Sequence, residues 1–134
     1  MSKHPIDQMI ETVHTEWAVP KGWWNDLHTG ETLTADYLAG ERPTGSKAIG
    51  EQIALIHSEV TEAYEGHRKN LSDPHCPEFT NFEVELADAL IRIVDTAGGL
   101  NLRLAEAYEA KMEFNRLRAD HLPINRVKEG GKST

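Results

Sequence analysis

Residues 78–97 constrain this chain more than any other stretch. Phe79, Phe82, Leu86, Ala89, Leu90, Ile93 and Ala97 recur at the spacing that lines one face of a helix. On the same wheel Glu85, Asp88, Arg92 and Asp95 form a polar line, and Val84, Ala87, Ile91 and Val94 flank its far side. A helix apolar on both flanks is expected to be largely buried. Its acids then lose hydration, which only cations or a bound metal can offset. A chain with such a segment must surround it with other helices and supply positive charge to its acidic line.

The rest of the chain provides the helices. Ile6, Met9, Ile10, Val13 and Trp17 predict a first helix ending at Pro20. Residues 19–46 hold Pro20, Gly22, Gly30, Gly40, Pro43 and Gly45 and read as a long connection with one helical turn near 34–38. Connections of that length are often functional. A second helix is expected over 47–69 through Ile49, Ile53, Ile56, Val60, Ala63 and Tyr64, before Asp73-Pro74 and Cys76-Pro77 break the pattern. Gly98-Gly99 should stop the third helix and Asn101 should cap a fourth, carrying Leu104, Ala107, Tyr108, Met112, Phe114 and Leu117 up to Pro123. No stretch alternates with period two. The expected class is all-α: a four-helix bundle-like single domain over 1–134, with its core in 47–121 and a mobile tail over 122–134.

Composition narrows the function. The 22 acids outnumber the 14 Lys and Arg, a net charge of −8, which disfavours nucleic acid as a partner. Cys76 is the sole cysteine, so a disulfide framework and a cysteine zinc site are excluded and a cytoplasmic setting fits. The opening residues lack the apolar core of a secretion signal, and no run of about 18 apolar residues suggests a membrane span.

The acids are paired. Glu59 and Glu62 on the second helix, and Glu85 and Asp88 on the third, are three residues apart, so each pair can aim two carboxylates at one spot. All-carboxylate sets select Mg²⁺ or Mn²⁺, whereas zinc prefers His or Cys. A di-iron bundle would need two Glu-x-x-His motifs, and only Glu11 and His14 supply one. On the fourth helix Lys111, Asn115 and Arg118 are spaced i, i+4, i+7, with His121 a turn further on. That strip suits a polyphosphate.

Taken together, the stretch from Ile56 to Ala63 with Glu59 and Glu62, then the stretch from Glu85 through Asp88 and Arg92 to Asp95, then the stretch from Lys111 through Asn115 and Arg118 to His121 resemble the MazG-like branch of the all-α nucleoside triphosphate pyrophosphatases. The family order is Glu-Glu-x-x-Glu, Glu-x-x-Asp, Lys-x-x-x-Asn-x-x-Arg, and the likeness covers roughly residues 49–121. Ser58 departs from it, standing where the first Glu is expected. The resemblance implies hydrolysis of a (deoxy)nucleoside triphosphate to monophosphate and pyrophosphate. It also implies Mg²⁺ on Glu59, Glu62, Glu85 and Asp88, and a homodimer or homotetramer whose sites form between chains. Lys132 on the Gly-rich tail is a further candidate for the phosphates. Trp23 and Trp24 either pack the connection onto the bundle or, with His14, Trp17 and Asp26, wall a nucleoside pocket. An Asp beside a stacking ring suits guanine, so dGTP or GTP is the favoured substrate, as in a phage enzyme of the nucleotide pool. The alternatives are a non-catalytic helical oligomer with a structural divalent cation, or a di-iron carboxylate bundle.

Overall fold

The computed structural model describes residues 2–33, 49–118, 120, 122–127 and 130. Among these the regular structure is helical, and Asn25–Thr32 and Ser72–Thr80 form only isolated bridges. No helix among the described residues is long and apolar enough to cross a membrane. The chain divides into two compact units, residues 1–102 and 103–134.

In the first unit α1 (Pro5–Ile10) begins with Pro at its first turn, where a missing N–H costs nothing, and His4 Nδ1 accepts from the Ile6 N–H at 3.1 Å. It continues as a π-helical segment, Glu11–Ala18, closed by the Val19 N–H donating to His14 O at 2.9 Å. The wider i→i+5 winding is rare and recurs at functional sites.

Residues 19–33 of the expected connection are a compact double turn. Gly22 and Gly30 take φ of 78° and 75°, where other residues would be strained. Asp26 N–H donates to Glu31 O and Leu33 N–H to Trp24 O, folding Trp24 and Leu33 against Ala18 into a buried cluster. The helical turn expected near 34–38 lies outside the described residues.

Helix α2 spans Ile49–Lys69 and α3 spans Asn81–Gly99. Asn70 (φ 53°) takes the left-handed position after α2, and Leu71 N–H donates back to Gly66 O. Helix α3 starts at 81, later than the periodicity suggests, because Thr80 and Glu83 form a reciprocal capping box. The helices are antiparallel, since Gln52 meets Thr96, Glu59 meets Arg92 and Gly66 meets Asn81. Ala63 and Ala89 are buried, and such small side chains allow a close approach.

Two expectations are corrected here. Helix α3 ends on Gly98 and Gly99, as the glycine pair suggests, while Asn101 (φ 52°) takes the left-handed position beyond it and caps no following helix. The two glycines also make room: a Cβ on Gly98 would lie 2.5 Å from His14, and one on Gly99 would lie 2.2 Å from the Trp24 indole. Nor is α3 buried on both flanks. Val94, Ala89 and Ala97 are covered, but Leu86 and Leu90 are each 45% exposed and Ile93 38%. Helices α1 and α2 cover only part of its circumference.

The second unit holds α4 (Leu104–Leu117) and a short helix, α5 (Pro123–Arg126). Arg103 precedes α4 without a side-chain cap.

Candidate metal centre and adjoining cavity

Glu59 projects from α2, and Glu85 and Asp88 from one face of α3. One oxygen from each lies within 4.8 Å of the other two. Glu59 is buried and Arg92 Nε donates to its Oε1 at 2.5 Å. Asn81 Nδ2 donates to Glu85 Oε1 at 3.0 Å and reaches Asp73 Oδ2 at 3.4 Å. Asn81 itself lies against Gly66, where a Cβ would stand 2.0 Å from its Oδ1. Asp73 is fixed in turn by the N–H groups of His75 and Cys76, which hold its carboxyl below the usual range despite burial.

Burial raises the Glu85 carboxyl above its ordinary value of 4.5; the acids Glu59 and Glu62 add to this while the Asn81 amide opposes it. Asp88 is raised above 3.8 by burial first and then by the Glu59 charge, with Arg92 opposing. Glu62 is exposed and outside the group of three, yet its charge reaches Glu85. Ser58, at the position where the resemblance expects a second Glu, donates its hydroxyl to Leu55 O at 2.7 Å and so closes onto its own helix.

Three carboxylates against one guanidinium leave two negative charges among oxygen-only donors. That set fits a hard divalent cation such as Mg²⁺ or Mn²⁺.

Beside the carboxylates lies a cavity of about 220 Å³ lined by Trp17, Trp23, Glu59, Asp88, Ile91, Arg92 and Asp95. Trp17 and Trp23 are half-exposed, 49% and 55%. Asp95 is a cavity-lining residue to which the sequence reading gave no role, although it stood in the polar line of α3. Its Oδ1 accepts from His14 Nδ1 at 2.8 Å and from Trp24 Nε1 at 2.9 Å. The signal was available in its i+7 offset from Asp88 on the same face. The partners were hidden, since they lie 81 and 71 residues away.

Of the residues expected to wall a nucleoside pocket, Trp17 and Trp23 do line the cavity. His14 and Trp24 lie behind it, the His14 ring edge-on to the indole at 5.4 Å. Asp26 is buried and is not among the lining residues; its Oδ1 accepts the N–H groups of His28 and Thr29, which lower its carboxyl. Glu11 pairs with Lys3 and His14 with Asp95, so the single Glu-x-x-His motif has both members engaged elsewhere.

In the second unit Lys111 Nζ stands 4.7 Å from the Phe114 ring centre, and Asn115 Oδ1 is buried without a hydrogen-bond partner among the described residues. Arg118 does not share their helical face as expected. Helix α4 ends at Leu117, Arg118 is extended (ψ 119°), and its guanidinium pairs with Asp120. His121 and Lys132 lie outside the described residues.

The chain matches no protein-family model, no curated protein and no solved structure.

Proposed function

We propose that this protein hydrolyses a (deoxy)nucleoside triphosphate to the monophosphate and pyrophosphate, acting on the nucleotide pool. The observation that carries the reading is the convergence of Glu59, Glu85 and Asp88 at one end of a cavity whose walls include two half-exposed tryptophans. The order of acidic and basic motifs, which resembles the MazG-like pyrophosphatases, supports it.

Glu59, Glu85 and Asp88 would hold Mg²⁺ or Mn²⁺, with Glu62 joining from the exposed side of α2. When bound, a divalent cation supplies charge neutralisation of the phosphates and a lowered pKa for the attacking water. Asn81 holds the Glu85 carboxylate in place, and Arg92 shields Glu59. Lys111, Asn115, Arg118 and Lys132 are the proposed partners of the phosphate chain. Arg118 must first exchange Asp120 for phosphate, a trade of one charged acceptor for another. Trp17 and Trp23 offer flat apolar faces to the base. The apolar residues left exposed on α3 support assembly into a dimer or tetramer.

Incubation with each ribo- and deoxynucleoside triphosphate in Mg²⁺, with chromatography of the products, tests the reading. Monophosphate and pyrophosphate are expected. Release of orthophosphate with a diphosphate would overturn it.

A further inference from the structure

We infer that Arg92 grips the phosphate groups of the bound nucleotide with the terminal nitrogens of its guanidinium. The inference rests on the nucleotide reading proposed above and adds a phosphate-binding residue inside the carboxylate cavity.

Arg92 follows Asp88 by one helical turn on α3, and both side chains line the cavity with Glu59. Lys111 and Arg118 belong to the second unit, so Arg92 is the one cation among the described residues that line this cavity. Its donors are only partly used. Nε donates to Glu59 Oε1, whereas Nη1 and Nη2 have no hydrogen-bond partner among the described residues. A guanidinium carries five N–H donors in one plane, and the bond through Nε leaves the outer ones open on a side chain that is 40% exposed.

The acids on the same helix do not claim these donors. Asp95 Oδ1 accepts from His14 and Trp24, and an Asp88 oxygen lies within 4.8 Å of oxygens of Glu59 and Glu85. Glu59, Asp88 and Asp95 leave two negative charges in excess of Arg92 among the lining residues, an excess that repels phosphate and that a divalent cation offsets. The planar fork of Arg92 then matches phosphate oxygens through parallel N–H bonds, which a point charge such as Lys does not reproduce.

Calorimetric titration of the full-length protein in Mg²⁺ with imidodiphosphate, a diphosphate that resists hydrolysis, tests this. The parent should bind it. Arg92→Met keeps the reach of the side chain but removes its charge and donors, and should weaken that binding about 10- to 100-fold, the range of one hydrogen bond to a charged group. Mg²⁺ alone, titrated into the same variant, should bind at least as tightly as to the parent, because the guanidinium competes with a cation for Glu59. A residue that merely held Glu59 in place would weaken both ligands together when lost. No binding of imidodiphosphate by the parent, unchanged binding in Arg92→Met, or a parallel loss of Mg²⁺ affinity overturns the inference. If Arg92→Met loses its helicity, Arg92→Lys, which keeps the charge without the fork, is judged by the same two titrations. Triphosphate turnover of the parent is scored separately. The expected binding pattern without turnover would retain Arg92 and remove the proposed reaction, whereas turnover with unchanged binding in Arg92→Met would do the reverse.

Discussion

At the residue scale, the carboxylates should control both turnover and metal-free stability. Glu85 and Asp88 have raised values in the fold, so between their ordinary 4.5 and 3.8 and those raised values the native state binds more protons than the unfolded chain. Stability is thus greatest at the acid end of that window and falls as pH rises through it. Asp26 and Asp73, held low by backbone N–H groups, have the opposite sign, and their contribution is lost only as pH falls below about 3.8. Chelator-treated protein should accordingly melt at a higher temperature at the acid end of that window than at pH 8, and Mg²⁺ should remove most of the difference. A melting temperature that rises steadily to pH 8 without metal would show that the cluster carries no net repulsion. Glu59→Gln, Glu85→Gln and Asp88→Asn should each lower turnover by at least about 100-fold, as loss of a charged ligand removes several kcal/mol of interaction. Glu113, which pairs with Arg116 on α4, should tolerate Gln. Normal activity in any two of the three ligand variants would move the metal elsewhere.

At the element scale, glycine contacts set the positions of the helices that carry the site. Gly66 lets Asn81 lie against α2 and hold Glu85, while Gly99 lets the Trp24 indole rest on α3 and hold Asp95. Gly99→Ala should destabilise the fold by about 1–3 kcal/mol through overpacking, read as a lowered thermal midpoint. Gly66→Ala should also weaken Mg²⁺ binding, because Asn81 must move off Glu85; calorimetry with Mg²⁺ checks this, and an unchanged affinity would reduce Asn81 to a packing residue. The helices themselves were legible in the sequence, because a 3.6-residue period survives in one dimension. The i,i+3 acids were legible for the same reason. What was not legible depends on contacts between distant residues. Gly98 and Gly99 read as a stop and α3 does end on them, but their second use, admitting His14 of the π-helical segment and Trp24 of the turn after it, depends on partners far away in the chain. Asp26 read as a base acceptor because it follows two tryptophans. Its backbone neighbours claim its carboxylate first, the ordinary use of Asp in a turn. The π-helical winding of Glu11–Ala18 has no sequence period of its own and was read as plain α-helix.

At the scale of the whole molecule, the apolar pattern of α3 exceeds what α1 and α2 cover among the described residues. Leu86, Leu90 and Ile93 sit at i, i+4 and i+7, all between 38% and 45% exposed, and Phe82 one turn earlier is 38% exposed. Four large apolar side chains along one helix line form more than scattered exposed residues, and such stripes mark association surfaces. Each would contribute on the order of 1 kcal/mol when its remaining exposed area is covered. The oligomer proposed above is the arrangement that covers this stripe with identical surface, and a two-fold pairing would set Leu90 near its own copy. Leu90→Glu should then place like charges opposite one another in an apolar interface and shift the protein to monomer, whereas Glu106→Gln, exposed on α4 beside Arg103, should leave assembly as it is. Light scattering coupled to size-exclusion chromatography reads both. A parent that elutes as a monomer at micromolar concentration, or a Leu90→Glu variant that assembles as the parent does, would remove the α3 stripe from the interface. The carboxylate cluster needs no second chain to bring Glu59, Glu85 and Asp88 together. A folded Leu90→Glu monomer should therefore still bind Mg²⁺, and its residual turnover measures what a partner adds to the site.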